Sequence, residues 1–303
     1  MRHPMKQHRR SGFTLIELLI VLTLLAIVGG SLMSMVSKQQ RFYQGTYDLI
    51  ELRSQLRQAE AVVSSDLRSM STPGGDIVSM TDSSMDFRYT IGSSISCTTP
   101  AGSTIIIPPT ASANGNTLTN WLTPPAAGDT AFVFDEMGSA ASSGDDEWKA
   151  YEITTLTTGA ANCAGAYNAP SAGYALVATG SISPTILQGA PIRFVRRAHY
   201  SLYQSGNDGN WYLGYSCSSC GTTTVQPIAG PFKAYTDAGG TDTSGIRITY
   251  FDSTGATTTA TNQVSRISIV LRGQTRSALN VSGLKRGVYM DSIRMNIALR
   301  NRS

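Results

Sequence analysis

A long apolar run near the N-terminus constrains this chain more than any other feature of its sequence. Residues 13–36, FTLIELLIVLTLLAIVGGSLMSMV, contain one charged side chain, that of Glu17. The 19 residues from Leu18 to Val36 include no ionisable group, and a helix of that length crosses most of the hydrocarbon core of a bilayer. The run therefore predicts a membrane-spanning helix.

The segment before this run predicts its orientation. Residues 1–12, MRHPMKQHRRSG, contain four lysines and arginines and no acid. Because basic flanks remain in the cytoplasm, we expect a single-pass inner-membrane protein with a cytoplasmic N-terminus and a periplasmic head. No small-residue pattern of the A-x-A type follows the run, which disfavours an ordinary secretory signal. A plain signal anchor is the simplest alternative.

Glu17 argues against a plain anchor. A carboxylate within an apolar helix costs roughly 2–4 kcal/mol on insertion scales, and less near the membrane interface. Such a residue needs a cationic partner, so Glu17 is a candidate functional residue.

The residues GFTLIE, from Gly12 to Glu17, lie behind the short basic leader and open the apolar run. This arrangement resembles the class III signal of type IV prepilins and of type II secretion pseudopilins. The resemblance implies that a prepilin peptidase removes residues 1–12 by cleaving between Gly12 and Phe13, and that it methylates the new amine of Phe13. It also implies that Glu17 pairs with this amine, a cation at neutral pH, on a neighbouring subunit, where a low dielectric strengthens the pairing.

A helical pattern continues beyond the membrane run. Apolar residues recur at steps of three and four, and Pro73-Gly74-Gly75 ends the pattern. This periodicity predicts an amphipathic helix over residues 37–72 that packs on the head. The apolar stripe consists of Leu49, Leu52, Leu56, Ala59, Val63, Leu67 and Met70.

Residues 73–303 form short β-branched and aromatic runs separated by glycine, proline, serine and asparagine, which is typical of a β-rich head. The predicted fold class is α+β, with a long N-terminal α-helix packed on a C-terminal antiparallel β-sheet head. We expect long loops at about residues 92–129 and 139–147. The expected strands are 77–80, 85–90, 103–107, 130–134, 148–154, 174–179, 192–204, 210–216, 246–252, 265–273 and 292–300.

The C-terminal third carries a second resemblance. The runs IRITYFDSTG, VSRISIVLRG and IRMNIALRNR, with SSDLRSM at the predicted helix end, are similar to segments of PilW-type minor pilins and GspJ-type pseudopilins. This similarity implies a minor subunit of a type IV pilus, or alternatively a J-type minor pseudopilin of a type II secretion system. The implied partners are prepilin peptidase, other pilins or pseudopilins that pack through the N-terminal helix, and the inner-membrane assembly platform.

The size of the head predicts a position for the subunit. We expect a low-abundance subunit at or near the tip of an extracellular pilus or a periplasmic pseudopilus, where bulk need not be repeated along a shaft. A further alternative is a tip adhesin that uses residues Gly92–Gly189, a region without a resemblance of its own, as its contact surface.

Composition and charge exclude other functional classes. The formal net charge is +4, but beyond the leader the chain has 20 basic and 20 acidic side chains, so we expect no nucleic-acid binding. His199 is the only histidine beyond the leader, which excludes a multi-histidine metal site and disfavours general-base catalysis. The sequence also lacks a glycine-rich phosphate loop and a nucleophile elbow. We therefore expect neither an enzyme nor a bound cofactor.

Four cysteines, Cys97, Cys163, Cys217 and Cys220, lie in the exported part of the chain. An oxidising compartment favours disulfides, and of the three pairings we favour Cys97–Cys163 with Cys217–Cys220. The longer closed loop would add about 4 kcal/mol of stability in a chain-entropy treatment. A redox role for Cys217-Ser-Ser-Cys220 would require a strand-to-helix context, and structural zinc would require two further ligands.

Two acidic segments are weak candidates for calcium binding. Asp145, Asp146 and Glu147 lie in a loop rich in glycine and serine, and residues 207–210 read NDGN. Carboxylates on flexible loops can bind calcium, but neither spacing matches an EF-hand. A solvated loop and a tight turn are the simpler interpretations.

Overall fold

The computed structural model describes residues 12, 14–72, 74–110, 118–137, 144, 146–161, 163, 173–221, 224–236, 244–275, 278 and 287–299. These residues form one α-helix, α1 (Leu15–Arg68), and a single 3-10 turn at Thr261–Gln263. The strands are β1 (Ile77–Met80), β2 (Ser84–Ile95), β3 (Thr104–Ile107), β4 (Asn120–Trp121), β5 (Thr130–Asp135), β6 (Glu147–Ala161), β7 (Gly173–Ala178), β8 (Pro191–Gln204), β9 (Trp211–Cys217), β10 (Gln226–Phe232), β11 (Ile246–Phe251), β12 (Arg266–Gln274) and β13 (Met290–Ala298).

The chain divides into two compact units. The first comprises Met1–Glu51 with Thr275–Tyr289, and the second comprises Leu52–Gln274 with Met290–Ser303. The first unit carries the apolar part of α1. The second unit, which we call the head, contains the last turns of α1 and all thirteen strands.

Within the head, α1 packs on the sheet through the predicted stripe. Leu52, Leu56, Ala59, Val63, Leu67 and Met70 are each at most 5% exposed, and they join the inward residues of the sheet in one apolar core. The helix ends at Arg68, where the backbone N–H groups of Ser69 and Met70 donate to carbonyls three residues back and tighten the last turn. The predicted α+β class, a long helix with an antiparallel β-sheet head, is confirmed.

Every described strand pair is antiparallel, and the strands form one sheet. Its main path runs β11-β12-β10-β9-β8-β5-β6-β7-β3. β8 is the hub of the sheet because it pairs with β2, β5 and β9. β12 pairs with β11 and with β13, residue for residue along the whole of β13.

A second apolar core lies among β3, β5, β7 and β8. Ile105, Ile107 and Leu176 are fully buried there. The segment expected as a long loop at about residues 92–129 contains the expected strand at 103–107, which is β3, and two further pieces of strand: β2 continues to Ile95, and β4 pairs with β2. Serine and threonine around the end of β2 and around β4 gave no signal for them. Most of the loop expected at 139–147 lies outside the described residues, and Glu147 opens β6.

Three buried carboxylates tie distant segments of the head together. Asp129 binds Arg196 at 2.7 Å, Asp76 binds Arg193 at 2.6 Å, and Asp135 binds Lys149 at 2.8 Å, with the three carboxylates at most 1% exposed. The Lys149 and Thr185 hydrogen bonds outweigh the effect of burial and lower the pKa of Asp135. Removing one partner of such a pair leaves an uncompensated buried charge, so these pairs fix the relative positions of their strands.

Candidate assembly site

Thr14 caps the N-terminus of α1. Its carbonyl accepts the backbone N–H groups of Glu17 and Leu18 at 3.1 and 3.2 Å, and its hydroxyl oxygen accepts the Glu17 N–H at 3.4 Å. The spacing T-x-x-E is that of a capping box, a local signal that is present in the sequence itself. Gly12 is exposed just before the cap, and the predicted new N-terminus, Phe13, lies outside the described residues.

Glu17 lies in the first turn of α1, on the exposed surface. The positive end of the helix dipole favours an acid at this position. Among the described residues no side chain forms an ion pair with Glu17. The cation that an apolar environment requires is therefore not supplied by the described part of the same chain.

The apolar surface of α1 is uncovered over its first turns. Every large apolar side chain from Leu15 to Val36 is at least 46% exposed. An 18-residue window of α1 has a mean hydropathy of 2.5, and none of it is buried. By length and composition this segment can cross a bilayer, and it is also a surface on which other apolar helices can pack.

Two hydroxyl groups on this segment are satisfied within the helix. Thr23 donates to the Ile20 carbonyl and Ser31 donates to the Val28 carbonyl, each at 2.8 Å. Because an unpaired hydroxyl is costly in an apolar environment, these internal bonds adapt both residues to lipid or to the interior of a helix bundle. Glu17 is then the one ionisable side chain of α1 before Lys38.

Comparison with known proteins identifies this segment. Residues 7–33 match the family model of the prokaryotic N-terminal methylation motif. The match covers this segment alone, and together with the long helix and the β-sheet head it supports a type IV pilin or pseudopilin, a class of filament-forming proteins. No curated protein and no solved structure matches the chain.

The motif has direct consequences for the chain. It implies processing by prepilin peptidase and assembly with other pilins. With the uncovered apolar part of α1, the motif suggests membrane anchoring and pilus-type assembly. Gly12, Phe13 and Glu17, which the sequence singled out, all lie within the matched residues; their individual roles stay predictions.

The cysteines form two disulfides in the structure, Cys97–Cys163 and Cys217–Cys220, the pairs that the sequence favours. The first pair is buried, whereas Cys220 is exposed. Cys217 ends β9, and the next described element is β10. The C-S-S-C segment therefore precedes a strand and not a helix, so the helix N-terminus that activates a redox thiol is not present in the described residues around it.

The weaker candidate sites form no metal centre within the part of the chain that the structure describes. Among the described residues no group of three or more histidine, cysteine, aspartate or glutamate side chains could hold a metal ion. Asp145 lies outside those residues, while Asp146 and Glu147 are exposed. In the 207–210 turn, Asp208 accepts hydrogen bonds from Tyr212 and Asn210, which lower the pKa of its carboxyl.

His199 lies on the sheet surface, beside Asp86. Its Nδ1 is 3.3 Å from a carboxylate oxygen of Asp86, and the Ser79 hydroxyl donates to the other oxygen at 2.6 Å. The serine therefore contacts the carboxylate and not the imidazole. In a catalytic triad the base lies between the nucleophile and the orienting acid, which is not the arrangement of Ser79, His199 and Asp86. These three side chains form a surface hydrogen-bond network.

Proposed function

We propose that this chain is a minor subunit of a type IV pilus that stands at or near the filament tip. The observation that carries the proposal is the combination of an uncovered apolar helix start with a thirteen-stranded head. A large head is most easily accommodated where no further subunit must be stacked beyond it. The chain acts by assembly and not by catalytic turnover.

The apolar segment suits a subunit that leaves the membrane. Moving Leu15–Val36 from lipid into a bundle of pilin helices exchanges one apolar environment for another, so hydrophobicity contributes little to the choice of position. The position of the helix relative to its neighbours in the filament then depends on charge. Glu17 supplies the anion and the amine of Phe13 on the neighbouring subunit supplies the cation, in a setting of low dielectric.

Filaments purified from the native host test the position. Quantitative mass spectrometry should find this chain in far fewer copies than the major subunit, and gold-labelled antibodies should mark filament ends. The major subunit in the same preparation is the control. An even distribution along the filament at the abundance of the major subunit would exclude a tip position.

A J-type pseudopilin of a type II secretion system is the second candidate, because the methylation motif is common to both classes. A clean deletion separates the two. Loss of surface pili with normal protein secretion supports the pilus, and loss of secretion with normal pili supports the pseudopilus.

A further inference from the structure

β13 forms one edge of the sheet. It pairs with β12 along all nine of its residues without a shift in register, and β12 is its single partner among the described strands. In an antiparallel pair, the backbone N–H and C=O groups of one residue point to the partner strand and those of the next residue point away from it. This alternation therefore decides which backbone groups of β13 are free.

Two backbone hydrogen bonds fix the alternation. The Arg272 N–H donates to the Gly245 carbonyl at 2.8 Å, on the β11 side of β12. The Leu299 N–H, just after β13, donates to the Ser265 carbonyl at 3.0 Å, just before β12. The odd-numbered residues of β13 therefore point to β12, and the even-numbered residues point away from the sheet. We call the latter the outward residues; they are Met290, Ser292, Arg294, Asn296 and Ala298.

The edge that these residues form is open. All five outward residues are exposed. Their one outward backbone group with a described partner is the Ser292 N–H, which donates to the Asp291 carboxylate at 2.9 Å. From Arg294 to Ala298 the strand has no proline, lysine or bulge, which are the usual means of keeping a sheet edge from pairing. The outward residues of this stretch present N–H donors and C=O acceptors that a further strand can use.

Other edges of the sheet are covered or irregular. The Ile248 N–H of β11 donates outward to the Asp82 carbonyl at 2.7 Å, and the Ile106 carbonyl of β3 accepts the Cys97 N–H at 2.7 Å. β1 has only four residues and a shift in register, and the pairing of β6 with β7 shifts twice. β13, in contrast, is regular and open along its length.

β13 lies beside the head part of α1. Arg53 of α1 forms an ion pair with Asp291 at 2.9 Å, and Met295 and Ile297 pack in the core that α1 covers. Pilins assemble through this helix, so neighbouring subunits gather around it. The partner that such an arrangement brings to β13 is another pilin or pseudopilin.

The side chains indicate the chemistry of the partner. Arg294 is exposed and forms no ion pair with a described residue, and its neighbour on β12 is Val270. An acid opposite Arg294 on an added strand would form a favourable cross-strand pair. A second copy of β13 offers no free acid, because Asp291 already pairs with Arg53.

We propose that an extended strand of another pilin or pseudopilin, with an acid opposite Arg294, adds to β13 and continues the sheet. Main-chain hydrogen bonds supply the affinity of such strand addition, and side chains supply its specificity. The proposal rests on the proposed function, because it requires assembly with other subunits. A strand that adds to one edge extends the sheet once, which suits a subunit present in few copies.

Photo-crosslinking in intact cells of the native host tests this contact. A photoreactive amino acid is placed at Ala298 on the open edge, or at Asn207 in the exposed β8–β9 hairpin as the control position. We expect the Ala298 probe to form an adduct with another pilin or pseudopilin, identified by mass spectrometry. The Asn207 probe should not form this adduct.

Substitutions at Asn296 separate backbone pairing from simple proximity. Asn296→Pro removes an outward N–H that no described residue accepts, and proline is tolerated where the N–H of an edge strand faces solvent. In the chain that carries the Ala298 probe, it should lower the adduct yield by at least about tenfold. Asn296→Ala keeps the N–H and should leave the yield unchanged. The melting temperature of each purified full chain in detergent shows whether it is folded.

Arg294 provides a second pair of variants, which decides the question if Asn296→Pro does not fold. Arg294→Glu should also lower the adduct yield, whereas Arg294→Lys keeps the charge and should not. An adduct between two copies of this chain, no adduct with any pilin or pseudopilin, or equal yields from the folded variants of a pair would overturn the proposal. Even labelling along filaments would contradict the tip position alone, since the adduct is measured wherever the chain lies.

Discussion

The backbone of Glu17 is fixed by hydrogen bonds, whereas its carboxylate has no ion-pair partner among the described residues. Thr14 accepts its N–H in the capping turn, while no described residue supplies a cation for its carboxylate. The helix therefore fixes where the charge stands, and the partner must come from outside the described part of the chain. This geometry is what a registering group between subunits requires.

Replacing Glu17 by alanine should leave membrane insertion and cleavage normal, because hydrophobicity and the cleavage junction are unchanged. Entry into filaments should fall by roughly tenfold or more if the lost pairing exceeds about 1.4 kcal/mol. Filament-bound and membrane-bound protein, compared by immunoblot, measure this. Glu60→Ala, the same substitution in the head part of α1, is the control, and normal incorporation of Glu17→Ala would refute the registering role.

Asp66 and Tyr200 join the end of α1 to the central strand of the sheet. The Tyr200 hydroxyl donates to an Asp66 carboxylate oxygen at 2.5 Å, and Phe87 stacks on the tyrosine ring with centres 5.1 Å apart. Burial raises the pKa of Asp66 above its ordinary value of 3.8, although the Tyr200 hydrogen bond opposes the change. Tyr200→Phe removes the donor and should cost about 1–3 kcal/mol.

The raised pKa of Asp66 predicts a pH dependence. Between the ordinary value and the raised value the folded chain binds more protons than the unfolded chain, so this group makes stability fall as pH rises through that window. Asp66→Asn cannot titrate, so as pH rises above about 4 the melting temperature of the native chain should fall relative to that of this variant. Identical slopes in the two proteins would contradict the assignment.

At the scale of elements, the start of β11 depends on a close approach of two chain segments. A Cβ added at Gly245 would lie 1.8 Å from the Lys233 carbonyl oxygen. The Gly245 carbonyl also accepts the Arg272 N–H at 2.8 Å, so this backbone is fixed on both sides. Gly245→Ala must therefore displace backbone that already forms sheet hydrogen bonds.

We expect Gly245→Ala to lower the free energy of unfolding by about 1–3 kcal/mol or more. Gly206→Ala in the β8–β9 hairpin is the control, because a Cβ there meets no atom within 4 Å, and it should change stability by no more than about 0.5 kcal/mol. Denaturant unfolding compares the two variants. Equal effects would mean that the segments after β10 and before β11 are packed more loosely than the structure has them.

Local patterns predicted most of the elements. Two patterns could be found in the sequence. Apolar residues of α1 recur at the helical period, and residues of strands in the last third, such as β8 and β12, alternate at the strand period. β4, β10 and the ends of β2 and β6 could not, because glycine, proline, serine and threonine there give no periodic signal. Pairs such as Asp76–Arg193, separated by 117 residues, exist only once the sheet has formed.

At the scale of the whole molecule, the assembly segment and the head differ in how the sequence encodes them. The assembly segment is local, so its motif and its exposed apolar surface follow from consecutive residues. The core of the head depends on the register of β11, β12 and β13, which places Ile248, Ile269 and Met295 in one row although they are distant in the sequence.

The central claim is that this chain is a processed pilin whose mature N-terminus is Phe13. Intact mass and N-terminal sequencing of the protein extracted from membranes of its native host test it directly. We predict a chain that begins at N-methylated Phe13 and lacks residues 1–12. A chain that retains Met1 in cells with an active prepilin peptidase would contradict the claim, and α1 would then be a permanent anchor for an independent periplasmic head.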